Sequence, residues 1–175
     1  MWTRFLSKFF FAVAAVIWMS SQAAAESLKP FVLGDTPPGD LKQVADAVKL
    51  KVTAAGFEIV GSYSPFANAV VICVTNNDLK TTAAKVPNGG FGAAQRVSVT
   101  EVNGKIQVAY VNPAYLGTAY GMGKLESVSS KLKTALGAVK GFGSENGIPE
   151  EKLGPGQYRY AMFMPYFKDV DIFMN

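Results

Sequence analysis

The apolar positions of this chain change period several times, and each change marks an element. Leu41, Val44, Ala45, Val48 and Val52 recur at helical spacing, with Lys42, Asp46 and Lys49 away from that stripe. The spacing predicts a helix from Asp40, its N-cap, to about Ala55, with Gly56 as the C-terminal cap. Leu50 lies off the stripe and hints at a second covered surface. From Phe57 to Ser64, Phe57, Ile59, Gly61 and Tyr63 alternate with Glu58, Val60 and Ser62, the period of a strand. Residues 69–75, Ala-Val-Val-Ile-Cys-Val-Thr, form a continuous apolar run, as expected of a central strand covered on both faces. Two alternating runs, 96–102 and 105–111, flank Asn103-Gly104, a dipeptide suited to the tight turn of a hairpin. Asn112-Pro113 then supplies a cap and a first-turn proline for another helix, which Gly117, Gly121 and Gly123 weaken. Leu125, Val128, Leu132, Ala135, Leu136 and Val139 share the face of a further helical stretch, separate from that helix or one bent helix with it.

Shorter signals complete the pass. Ser27 to Leu33 reads as a short strand ending at Gly34, and Thr36-Pro37-Pro38-Gly39 as a turn. Asn77 is a candidate cap for a short helix to about Ala84, and residues 87–92 read as a loop. Residues 137–156 are Gly/Pro-rich and irregular, with one helical turn at Pro149–Leu153. Residues 157–165 alternate and predict a late strand. The order is β-α-β-β-(α)-β-β-α plus a C-terminal strand or arm. It predicts an α+β fold, a small, mainly antiparallel sheet with helices packed on one face.

The N-terminus follows a different rule. Arg4 and Lys8 precede an unbroken apolar run from Phe9 to Met19; Ser20-Ser21-Gln22 ends it, and Ala23-Ala24-Ala25 follows. The run is shorter than the roughly 20 residues of a spanning helix. It has the layout of a cleaved secretory signal, with a retained anchor as the alternative. Three segments are expected: a signal peptide at 1–25, an α+β domain at 26–140, and a C-terminal extension at 141–175 packed on the domain or on a partner subunit. The expected location is periplasmic or secreted, with no membrane span after cleavage.

Composition narrows the function classes. The chain has 17 Lys+Arg and 13 Asp+Glu; without Arg4 and Lys8 the cationic count is 15, an excess of only 2. No Lys/Arg block appears, so no nucleic-acid partner is expected. There is no histidine, which removes the commonest general base and the commonest metal ligand. The one cysteine, Cys73, excludes an internal disulfide and, between Ile72 and Val74, reads as a buried, inert thiol. No cysteine near Ala25 offers a lipoprotein anchor. No cofactor is implied.

Two stretches carry a family resemblance. Val108-Ala109-Tyr110-Val111-Asn112-Pro113-Ala114-Tyr115-Leu116 and Ala55-Gly56-Phe57-Glu58-Ile59, in this element order, resemble the domain-of-unknown-function 302 family over roughly Gly34 to Leu136. The tail from Tyr158 to Phe167 looks like an extension of exported relatives. Val74-Thr75-Asn76-Asn77-Asp78 stands where the family often carries Gly-Asn-Pro. The resemblance implies a compact domain, pairing as a homodimer and no established reaction.

The candidate site is the strand-to-helix junction at Tyr110, Asn112 and Tyr115. With Arg96, these residues are expected to line a pocket whose aromatic walls hold an apolar ligand. The plainer reading is half-buried tyrosines and a helix cap. Met122, Met162, Met164 and Met174 are candidate thioether ligands for Cu(I), against core or interface packing. The 87–92 loop lacks the Gly-Lys-Ser/Thr of a phosphate loop. Gly117-x-x-x-Gly121 reads as close packing or a kink, and no carboxylate pair stands out. The expected function is an exported binding module for a small apolar ligand or a partner protein. The rivals are a histidine-free enzyme using Tyr, Arg or carboxylates, and a periplasmic Cu(I) handler.

Overall fold

The computed structural model describes residues 27–169. The signal-peptide reading of 1–25 and the candidate ligand Met174 lie outside the described residues. Among the described residues there are eight strands: β1 (Ser27–Leu28), β2 (Phe31–Leu33), β3 (Glu58–Phe66), β4 (Ala69–Thr75), β5 (Gln95–Val102), β6 (Lys105–Val111), β7 (Lys140–Phe142) and β8 (Ile148–Pro149). The helices are α1 (Leu41–Ala54), α2 (Asn77–Ala83), α3 (Pro113–Ala119), α4 (Glu126–Leu136) and the single turn α5 (Glu150–Leu153). Six strands form one sheet in the order β3-β4-β5-β6-β2-β7, antiparallel at every step, and β1 pairs with β8. The fold is α+β with a mainly antiparallel sheet, as the pattern predicts.

Local chemistry sets the element ends. Asp40 caps α1 through a reciprocal pair: Gln43 N donates to Asp40 Oδ1 at 2.8 Å, and Asp40 N donates to Gln43 Oε1 at 3.0 Å. Asn103 and Gly104 take φ of 51° and 71°, the left-handed pair that a two-residue hairpin between β5 and β6 requires. Asn112 caps α3 by accepting from Ala114 N, with Pro113 at the first helical position.

Several expectations are corrected. Asn76, not Asn77, caps α2; its Oδ1 accepts from Leu79 N at 2.9 Å, the three-residue reach of an N-cap. The 27–33 strand is two strands, because Pro30 has no N–H to give a ladder. Helices α3 and α4 are separate, not one bent helix: Leu125 sits at φ 50° between them, and Gly117 packs on the Gly123 carbonyl, where a side chain would collide. Leu50 is exposed rather than facing a second layer. No strand forms at 157–165; that stretch is turns, with Tyr160, Met162 and Phe163 exposed. Alternation alone does not suffice there, because the segment pairs with neither edge strand, β3 or β7.

The core lies on one face of the sheet. Ile72 and Val74 of β4, Val97 and Val99 of β5, and Val108 and Tyr110 of β6 pack with Val44, Val48 and Val52 of α1, Leu79 of α2, and Val128, Leu132 and Leu136 of α4. Strand alternation sends Val71, Cys73, Arg96, Ser98 and Ala109 to the opposite face, where none of the five is buried. So among the described residues helices cover β4 on one face, and Cys73 is half-buried on the other side, not a core thiol. A run of apolar residues fits such a strand because its outer side chains are partly shielded by their neighbours across the ladder.

A second, smaller cluster joins the first and last parts of the described segment. Leu153 of α5 is fully buried with Leu28 of β1 and Ala119 of α3, and Tyr115, Ile148, Tyr158 and Phe167 pack around them. No described helix is long and apolar enough to cross a membrane.

Candidate functional site

The register of the sheet draws two rows of side chains across the open face. One runs Tyr63, Val71, Ser98, Ala109, Leu33, Lys140. The next runs Gly61, Cys73, Arg96 and then Val111, Phe31, Phe142. Between these rows lies a concavity of about 390 Å3. Val71, Ser98 and Ala109 form its floor, with Tyr63 at the β3 end. Phe31 and Phe142 form the opposite wall, their rings 5.6 Å apart on neighbouring strands. The floor is shallow because its residues are short. The walls stand up because aromatic residues occupy β2, β3 and β7, toward the edges of the sheet. Arg96 is exposed and is the one charged residue lining the concavity.

The four residues singled out in the sequence are divided by the two faces. Arg96 is on the open face. Tyr110 borders the concavity, but it pairs with buried Val97, and its hydroxyl donates to Gly137 O at 2.9 Å beyond the end of α4. Burial, and then the Asp35 carboxylate, push its pKa up to about 12. Asn112 is used by the backbone: its Nδ2 donates to Lys29 O at 2.8 Å and its Oδ1 accepts from Ala114 N at 3.1 Å. Tyr115 lies in the smaller cluster, where burial and then contact with Tyr158 raise its pKa. The four expected pocket residues are therefore not all brought together: Arg96 and Tyr110 both border the concavity, from opposite faces of neighbouring strands, whereas Asn112 caps α3 and Tyr115 packs in the smaller cluster.

Tyr110→Phe is accordingly expected to destabilise the domain by about 1–2 kcal/mol, since it leaves a carbonyl without its buried donor. Denaturant unfolding checks this. The sign with pH also follows. A phenol held above its ordinary pKa contributes stability that is complete below pH 10 and is lost as pH rises toward about 12. The wild-type protein should lose that increment over this window, and Tyr110→Phe should lose less.

The residues the sequence reading passed over are Phe31, Tyr63, Val71, Ala109 and Phe142. Phe31 and Leu33 about Val32 carried a weak alternation signal; nothing local marked Phe142 as a strand residue.

Other clefts offer less chemistry. A larger groove of about 640 Å3 beside α1 has its three charged α1 side chains engaged with one another, Lys42 to Asp46 at 3.0 Å and Lys49 to Asp46 at 3.5 Å, with Asp40 and Glu101 also on its lining. Met122 is buried against Gly92, whereas Met162 and Met164 are exposed on turns, so these thioethers do not share a strand face. Among the described residues no group of three or more His, Cys, Asp or Glu is placed to hold a metal.

The chain matches no family model and no curated protein sequence. Its fold is similar to the crystal structure of an uncharacterized conserved protein DUF302 from Bacillus stearothermophilus. The TM-score is 0.54 at 14% identity, covering 61% of this chain and 94% of that one. The α+β core thus has the architecture of a domain-of-unknown-function 302 protein.

Proposed function

We propose that this chain is an exported, non-catalytic binding module whose open sheet face holds a small apolar ligand. The observation that carries it is the concavity of about 390 Å3 between Tyr63 and the Phe31–Phe142 pair, on a sheet face that no core helix covers. Pockets for small ligands start near roughly 300 Å3 and are lined mainly by apolar and aromatic side chains with a few polar groups. Here the polar groups are Arg96, Ser98 and the phenols of Tyr63 and Tyr110; the Ser98 hydroxyl is already engaged, donating to Ala109 O at 3.3 Å, as is that of Tyr110, donating to Gly137 O at 2.9 Å. Among the described residues the concavity offers one charged group, Arg96, in an apolar and aromatic lining. The N-terminal 25 residues add the expectation that the ligand is met outside the cytoplasm.

The test is a titration of the secreted protein with N-phenyl-1-naphthylamine, a neutral apolar fluorophore. Saturable binding at one site per chain is expected, lost in Ala109→Trp, which raises the floor. The mass of that same preparation should place the mature start near Glu26. Absence of saturable binding, or binding indifferent to Ala109→Trp, would overturn the reading.

A further inference from the structure

We infer that the ligand of the open face is an organic anion, an apolar body across the Val71–Ser98–Ala109 floor with a carboxylate or other oxyanion on Arg96. This rests on the reading of that face as the ligand site and adds the chemistry of its head group.

Charge complementarity is the first argument. Arg96 is the one charged residue lining the concavity, and no carboxylate lines it. Several lysines elsewhere on the surface are engaged: Lys42 and Lys49 hold Asp46, Lys80 holds Glu58, and Lys131 holds Asp78 at 2.8 Å. Arg96 makes no ion pair with any described residue. A guanidinium presents a planar fork that matches a carboxylate in a bidentate pair, and the apolar surround strengthens that pair.

Placement is the second. Arg96 pairs with Cys73 on β4, and Cys73 pairs in turn with Gly61 on β3. Gly61 has no side chain, so this flank of the guanidinium lacks the wall that Tyr63 raises in the next row. From β3 to β2 the sheet spans four strand spacings, roughly 19 Å. A body longer than one ring can lie flat there with its head group at Arg96. A second copy stacked on this face would bring the same lining, with a cation and no carboxylate to meet Arg96. A cationic ligand would meet repulsion.

The experiment compares two probes with the same rings, 1-anilinonaphthalene-8-sulfonate and neutral N-phenyl-1-naphthylamine. The anion is expected to bind the wild-type protein about tenfold more tightly, or 1.4 kcal/mol. In Arg96→Gln that preference should vanish, the anion then binding no more tightly than the neutral probe, while the melting temperature stays unchanged. Arg96→Lys should keep part of it, and added salt should shrink it. Equal affinities in the wild type, or a preference that survives Arg96→Gln, would overturn the head-group inference and leave the apolar site standing. If neither probe binds, the apolar-site reading falls as well. Sedimentation showing a dimer that Val71→Asp dissociates would then assign the face to a second copy.

Discussion

Ile72→Asp is expected to leave the domain unfolded at room temperature, whereas Val71→Asp, one residue earlier on β4, should shift the melting temperature by only a few degrees. Ile72 is fully buried between the sheet and the helices, with 0% of its surface exposed. A carboxylate there has no partner among the surrounding Val44, Val48, Val97 and Val99. Burying an unpaired polar or charged group costs several kcal/mol, and the lost isoleucine packing adds a further 2–5 kcal/mol or so. A domain's whole stability is only about 5–15 kcal/mol. Val71 points to the other face and is half-exposed, so its aspartate stays hydrated. Thermal unfolding followed by far-ultraviolet circular dichroism separates the two outcomes. Collapse of both variants would mean that the second face is covered in solution, against the site assigned to it.

The second large effect concerns the chain end. Leu153→Ala should cost about 3 kcal/mol, near the middle of the range for deleting a buried leucine, and lower the melting temperature by roughly 10 °C. Leu153 is 0% exposed and closes on Leu28 and Ala119, which come from the opposite end of the chain and from α3. The pairing of β1 with β8 brings these segments together, and β7 adds a further strand beside β2. Residues 140–153 are therefore built into the fold. A melting temperature unchanged by Leu153→Ala would show that this small cluster does not contribute, and that the core on α1 and α4 stands alone.

These contrasts separate what one sequence discloses from what it hides. Helix α1 was legible because its apolar stripe, its Asp40 cap and Gly56 all agree within one short window. The hairpin at Asn103-Gly104 was legible because a left-handed turn strongly restricts residue choice. Asn112 was recognised as a cap, yet its second role, donating to Lys29 O across 83 positions, has no local mark. Strands β1, β7 and β8 have two or three residues each, too few for any period to show. The late strand at 157–165 differs for the opposite reason: the period is there, but the segment pairs with neither edge of the sheet.

Elements whose stability is set within a few residues, by caps, turns and hydrophobic period, were determined by the sequence itself. They define an α+β chain with helices on one side of an antiparallel sheet. The site was decided by pairing. Phe31 and Phe142 lie 111 positions apart and face each other only because β2 enters the sheet between β6 and β7. Tyr110 and Arg96 looked like neighbours and were placed on opposite faces by a register in which Tyr110 meets Val97. Shifting that register by one residue would exchange the core for the surface, and burial of Val97, Val99 and Val108 beneath the helices holds it in place.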